Sequence, residues 1–175
     1  MWLAPPDHLG YGLGMLLWIF FGLVAVIDLE HRLILHPISL VGAVLGLAVG
    51  IYLHGLKATL IGGAAGFGIM YSLYGLGILF MKLSSRMRGR PVEEDALGYG
   101  DVNLSGVLGL MLGWPGIVAG LVLAILLGGA VSSLYLLVTV VTRRYRAFTA
   151  IPYGPFLIAA AIALLFFRGY LLANL

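Results

Sequence analysis

Long apolar runs alternate with short polar connections along this chain. A helix needs about 20 apolar residues to cross the hydrocarbon core of a bilayer, and six runs approach or exceed that length. They cover residues of about 9–27, 37–56, 58–81, 100–114, 116–141 and 150–167. Pro37, Pro115 and Pro152 fall near the starts of runs, where a missing N–H is least costly. The pattern predicts an all-α polytopic membrane bundle of about six helices, forming a single domain over residues 1–175.

The composition supports a membrane protein. Of 175 residues, 62% are hydrophobic and 10% are charged, with a mean hydropathy of +1.09, whereas soluble domains carry roughly 25% charged residues. The 26 glycines lie within Leu, Val, Ile and Ala runs, which favours close contacts between helices in lipid. The absence of cysteine excludes disulfides and thiolate metal sites. No basic residue precedes the first run, so we interpret it as a true span and not as a removable signal peptide.

The basic residues predict the orientation. If connections 28–36, 82–99 and 142–149 share one side, that side holds eight of the ten Lys and Arg residues, and the other side holds Lys57 and Arg168. The positive-inside rule then makes the eight-residue side cytoplasmic and places both termini outside. The net charge of +3 is explained by this topology better than by nucleic-acid binding.

Two aspartates, Asp28 and Asp101, stand where apolar runs meet the same cytoplasmic face in this topology. Each also has a simpler explanation. Asp28 can be explained as an interfacial carboxylate that is hydrated by headgroup water or paired with Arg32 one turn later. Asp101 can be explained as an N-cap or first-turn acid, whose charge the dipole of its own helix favours.

The fourth run is short. From Asp101 to Trp114 it would give about 21 Å of helix, less than the roughly 30 Å of the hydrocarbon core. Either the helix begins earlier, near Asp95, or the membrane is thinner at this point. In both cases Asp101 is submerged but reachable by water.

As a pair, the two aspartates suggest chemistry. Two carboxylates within hydrogen-bonding distance cannot both ionise readily, so they share a proton near neutrality. The ionised member can take a proton from water while the protonated member polarises a carbonyl. This arrangement hydrolyses amides without a metal, and the pair titrates as a unit, so the sequence leaves open which member is the base.

The residues around these aspartates resemble a known family. Residues 98–101 (GYGD) form a GxGD motif, which with Asp28 resembles the aspartic intramembrane-type peptidases. More closely, residues 27–34 (IDLEHRLI) and 95–104 (DALGYGDVNL) look like the first and second aspartate motifs of type IV prepilin peptidases. Residues 151–156 (IPYGPF) resemble a Pro-aromatic-Gly-Pro element of the same family.

The resemblance implies an endopeptidase of the cytoplasmic membrane that removes the basic leader of type IV prepilins, pseudopilins or similar precursors at the cytoplasmic face. By position, Asp28 and Asp101 would be the catalytic pair, and Gly98 and Gly100 would shape the backbone around the second aspartate. No cofactor or metal is expected, and the lipid bilayer and a precursor with a basic leader are the expected partners.

Two departures from the family pattern affect neighbours of the aspartates. The family often has Ile-Pro-Asn after the first motif, where this chain has Ile34, Leu35, His36 and Pro37; Asn103 stands where a lysine is common. Bifunctional members also carry an N-terminal region with a cysteine cluster, linked to N-methylation. We find no such region in this sequence and therefore expect cleavage only.

Four further residues are candidates for the cleft: Tyr99, Tyr153, Asn103 and Arg32. Interfacial tyrosines are common in membrane proteins, so position alone does not assign them a role. The acidic run at residues 93–95 would attract basic leaders but is also typical of a solvated loop.

Two other functions remain open from the sequence. A small proton-coupled transporter would use the aspartates near a midplane cavity, although here both fall at one face. A catalytically idle partner in a secretion assembly would need no intact pair of acids.

Overall fold

The computed structural model describes residues 10–31, 36–88, 98–142 and 153–166. Within these ranges the chain forms five helices and no strands. The helices are α1 (Tyr11–His31), α2 (His36–Arg88), α3 (Tyr99–Leu112), α4 (Gly116–Val141) and α5 (Gly154–Phe166). The all-α fold predicted from the apolar runs is therefore confirmed.

Helix α2 is two helices joined at Gly55, whose backbone has φ 78° and ψ 162°. Positive φ is readily adopted by glycine, which lacks the Cβ that makes this region unfavourable for other residues. The sequence predicted two runs, 37–56 and 58–81, and the break falls within two residues of the predicted boundary. Both halves pack against α3. Along the first half, Gly42 lies against Val107 and Gly50 against Leu110.

The second half of α2 runs past α3 in the opposite direction, since Gly62 lies against Gly109 and Gly66 against Ser105. A Cβ on Gly62 or Gly109 would overlap the backbone of the other helix. This close approach maximises dispersion contacts, which drive helix association where lipid offers no hydrophobic gain. The Ser105 hydroxyl donates to the carbonyl of Gly66 (3.1 Å), which adds a polar contact to the same interface. α2 thus forms a hairpin around α3.

α3 is the central helix of the bundle. Nine of its 14 residues are buried, and it contacts α2, α4 and α5. α5 lies between α1 and α4: the rings of Trp18 and Phe166 are 5.6 Å apart, and Gly128 of α4 faces Phe156. Large hydrophobic side chains on α1, α2 and α4 are exposed, as expected for surfaces that contact lipid.

The helix lengths agree with a membrane bundle. Among the described residues, three helices are long and apolar enough to cross a bilayer, and α5 is a shorter apolar helix as far as it is described. α3 has 14 residues and begins at Tyr99, because Gly98 before it is extended (φ −75°, ψ 142°). The alternative in which this helix begins near Asp95 is therefore wrong, and α3 is as short as the apolar run predicted.

Candidate active site

Asp101 occupies the third position of α3 and is only 7% exposed. Its backbone N–H donates to the carbonyl of Gly98 (3.0 Å), and its carboxylate accepts from the N–H of the same glycine. An acid at the third position that reaches back to the N-cap N–H satisfies a donor that the helix leaves free. The position of Asp101 is thus determined within a four-residue segment of its own helix.

Asp28 lies in the last turn of α1 and is 5% exposed. α1 continues to His31, three residues beyond Asp28. The N–H of Gly154, the first residue of α5, is directed at the Asp28 carboxylate. Its Oδ2 is buried and has no hydrogen-bond partner in the part of the chain that the structure describes. A buried acceptor left in this state is energetically unfavourable unless a ligand, a water or a proton occupies it.

The structure brings the two aspartates together. Asp28 and Asp101 lie close enough for the charge of one to act directly on the other. The C-terminal end of α1 therefore meets the N-terminal ends of α3 and α5. The dipole at the end of α1 disfavours a carboxylate, whereas the dipoles at the starts of α3 and α5 favour one. Two helix N-termini thus support two carboxylates at one end of the bundle.

Tyr153 adds a hydroxyl to this group. It directly precedes α5, and its hydroxyl is within electrostatic range of the Asp101 carboxylate. Its ring packs against Phe156 (6.4 Å between centroids) and against Gly128 of α4. Of the four cleft candidates predicted from the sequence, Tyr153 is the one whose polar group the described structure places beside the aspartates.

The other predicted residues lie farther from the pair or outside the described ranges. Tyr99 is 46% exposed and makes an edge contact with Tyr74 of α2, with 6.0 Å between ring centroids. Asn103 is two residues after Asp101, and at about 100° per residue it projects from the opposite side of α3. Gly100 lies in the first turn of α3. Arg32 and the acidic run at residues 93–95 fall outside the described residues.

The reason for glycine at position 98 is not local geometry. Its φ of −75° is available to any residue, and a Cβ there would have ordinary contacts, 3.8 Å from Asp101 Oδ2 and 3.9 Å from the Gly100 nitrogen. Neither backbone conformation nor space among the described residues therefore requires glycine at this position.

Sequence reasoning did not single out Gly154. A Cβ on this residue would overlap Asp28 Oδ2 and lie 2.8 Å from Asp28 Cγ. Residues 151–156 resemble a family element, but Tyr153 is the only residue of this element among the predicted site residues. A glycine whose role is to leave room cannot be recognised until its neighbour is known.

The arrangement is suited to acid–base chemistry on a peptide. One carboxylate can accept a proton from water while the other, protonated, donates to a carbonyl oxygen. Among the described residues there is no group of three or more His, Cys, Asp or Glu side chains that could hold a metal.

Comparison with known proteins identifies the family. The family model of the type IV leader peptidase family matches residues 15–133, which include both Asp28 and Asp101 and end before Tyr153. The comparison with solved structures finds no match.

Curated relatives agree with this match. The chain is 34% identical over 167 residues to a prepilin leader peptidase/N-methyltransferase of Stutzerimonas stutzeri, covering 90% of the chain and 52% of that protein. It is 31% identical over 146 residues to a protein of the same name from Burkholderia pseudomallei (strain 1026b), covering 82% of the chain and 42% of that protein. The chain thus spans about half the length of these relatives. With both aspartates inside a match over most of its length, the chain belongs to the type IV leader peptidase family.

Proposed function

We propose that this protein is an aspartic endopeptidase of the prepilin-peptidase type. It would cleave the leader peptide from type IV prepilin or pseudopilin-like precursors at the cytoplasmic face of the cell membrane. Asp28 and Asp101 would be its catalytic residues.

The observation that supports this proposal most directly is the meeting of two buried carboxylates from separate helices. A single buried aspartate can be explained as a helix cap, and Asp101 does cap α3. A cap does not explain why a second buried carboxylate lies within electrostatic range of the first, with one oxygen unpartnered among the described residues. Two buried like charges that interact destabilise the fold unless one of them holds a proton, so such a pair is more typical of a site of proton transfer than of structural support.

The proposed reaction uses the pair as acid and base. The ionised carboxylate takes a proton from a water molecule, whose oxygen attacks the carbonyl carbon of the scissile peptide bond. The protonated carboxylic acid gives its proton to the carbonyl oxygen, which produces a tetrahedral diol. In the collapse of the diol, the amide nitrogen takes a proton from the carboxyl group that had accepted one from water, and the C–N bond breaks to release the amine. One diol hydroxyl gives its proton to the other carboxylate, which leaves a carboxylic acid product and restores the singly protonated pair.

The position of the pair also suits a precursor whose scissile bond lies just before an apolar helix. Both acids lie at one end of the bundle, beside the starts of α3 and α5. A peptide entering from the cytoplasm would reach the carboxylates without crossing the hydrocarbon core. Within the hydrocarbon core, by contrast, irregular peptide backbone is tolerated only where it lines a cavity or is buried in protein.

The test is cleavage of a prepilin-like peptide by purified protein in detergent or in vesicles. Asp28→Asn and Asp101→Asn should each reduce the cleavage rate by about 100-fold or more, because each removes an acid–base group. Glu30→Gln is the matched control, since Glu30 is an exposed acid two residues after Asp28, and it should cleave at the wild-type rate. Retained cleavage by both Asn variants would disprove the proposal, and circular dichroism would verify that all variants are folded.

A further inference from the structure

We propose that Gly154 is a positioning residue that holds Asp28 in reach of Asp101. This inference rests on the proposed function for its consequence in catalysis, but its structural part can be tested without any activity. Gly154 would act in two ways: its missing side chain leaves room for the carboxylate, and its N–H orients that carboxylate.

The lack of space is the first support. Gly154 is buried at the start of α5. A Cβ there would overlap Asp28 Oδ2 and lie 2.8 Å from Cγ and 3.5 Å from Cβ of Asp28. Real Cβ atoms do not approach other heavy atoms to less than 3.0 Å. Any larger residue at 154 would therefore displace either the Asp28 carboxylate or the start of α5.

Neither displacement leaves the pair intact. The aspartate side chain is short, so moving its carboxylate away from α5 also changes its relation to Asp101. Moving α5 instead would carry Tyr153, which packs against Phe156 and Gly128, away from Asp101. Dense packing around α5, with Leu157 and Ala161 at most 2% exposed, resists such a shift.

The second observation that supports the inference is the backbone N–H of Gly154, which has no partner within α5. The carbonyl of Tyr153 accepts from the N–H groups of Phe156 (3.1 Å) and Leu157 (3.3 Å), as expected of an N-cap residue. The first-turn N–H groups of a helix lack partners within the helix, and Pro155 has none. Gly154 therefore offers the first free donor of α5, and Asp28 lies against it. The Asp28 carboxylate thus lies at the N-terminal end of another helix, where the dipole of α5 favours its charge.

The experiment uses the absence of native cysteine. In the full-length protein, the pair Asp28→Cys with Asp101→Cys is treated with a short bifunctional thiol reagent, first with Gly154 in place. We expect the two thiols to be cross-linked in this background. Adding Gly154→Ala should reduce the cross-linked fraction severalfold, because Cys Sγ occupies the place of Asp Cγ and would meet the new Cβ.

The matched control is Gly129→Ala, since Gly129 lies on α4, is exposed, and has no neighbouring heavy atom within 4 Å of the place that a Cβ would take. It should cross-link as the parent does. Equal cross-linking in the Gly154→Ala and Gly129→Ala backgrounds would overturn the inference. Failure of the pair to cross-link with Gly154 in place would overturn it as well, because Asp28 would then not be held near Asp101.

A second measurement separates positioning from structural damage. With the native aspartates, Gly154→Ala should lower kcat for a prepilin-like peptide by about 100-fold, the effect of a displacement near 1 Å, while KM and the thermal unfolding temperature stay close to wild type. A parallel loss of kcat and folded protein would assign Gly154 a structural role only. If Asp28→Asn retains cleavage while Gly154→Ala still reduces cross-linking, the proposed function fails and the positioning of Asp28 stands.

Discussion

The two aspartates are held in different ways. Asp101 reaches back to the N–H of Gly98, three residues earlier in its own helix, whereas Asp28 meets the N–H of Gly154, on a helix near the other end of the chain. The Asp101 carboxylate is therefore positioned by neighbouring residues in the sequence, and the Asp28 carboxylate is positioned by the packing of α5 against α1. A hydrogen bond within one helix forms when that helix forms. A hydrogen bond between two helices depends on all the packing contacts that hold those helices together. Damage to α5 should affect Asp28 first.

The largest effect is expected where both aspartates depend on the same packing. Gly109→Leu would place a side chain against the backbone of Gly62, at the interface that seats α3 between the halves of α2. Since backbone atoms cannot move aside as a flexible side chain does, we expect loss of most folded protein, measured by size-exclusion chromatography in detergent. Gly68→Leu, at an exposed position with nothing within 4 Å, should elute as wild type. Similar profiles for the two variants would contradict the tight α2–α3 interface.

A smaller, selective effect is expected from loosening α5. Leu157→Ala removes a buried side chain, and such changes cost about 2–5 kcal/mol in well-packed cores. With single thiols introduced as Asp28→Cys or Asp101→Cys, it should raise the alkylation rate at position 28 more than at position 101. Leu126→Ala, on the exposed surface of α4, is the control and should change neither rate. An equal increase at both positions would show that Asp101 depends on α5 as much as Asp28 does.

Removing the tyrosine hydroxyl beside Asp101 should have a modest effect. Tyr153→Phe keeps the ring that packs on Phe156 and Gly128 and loses one polar group. A neutral hydrogen bond contributes about 0.5–1.5 kcal/mol, so we expect kcat to fall by roughly 2- to 10-fold without a change in unfolding temperature. Steady-state kinetics on a prepilin-like peptide measure this, and a rate equal to wild type would remove Tyr153 from the site.

The smallest effect is expected at Gly98. Gly98→Ala keeps the N–H, an allowed φ and room for the Cβ, so its cross-linking between positions 28 and 101 should match the parent. Its loss of kcat should be smaller than that of Gly154→Ala. If Gly98→Ala is the more damaging variant of the two, the distinction between a locally held and a distantly held aspartate is broken.

Much of this architecture could be predicted from the chain alone. The apolar runs located the helices, including the unusual shortness of α3, because helix length in lipid follows directly from hydrophobic length. The charge distribution placed Asp28 and Asp101 at one face. The GxGD segment also predicted a helix start at which an acid is favourable, and the structure confirms that Asp101 lies there.

What the sequence did not provide were contacts between distant segments. The glycines of the apolar runs were expected in close packing, but the contacts of Gly42, Gly62 and Gly66 with α3 depend on how the hairpin closes at Gly55. Gly154 was missed for the same reason, since its function is defined by a side chain on α1. Local hydrogen bonding can be inferred from neighbouring residues, while excluded volume between remote segments requires coordinates.

The shortness of α3 has a consequence for the lipids around the bundle. Its 14 residues, between Gly98 and Gly113, extend only about 21 Å, roughly 10 Å less than an average hydrocarbon core. Lipid acyl chains near the ends of α3 are expected to tilt or compress, while those beside α4, with 26 residues, need not. A bundle of such uneven thickness is expected to respond to acyl-chain length, being most stable in bilayers of shorter lipids.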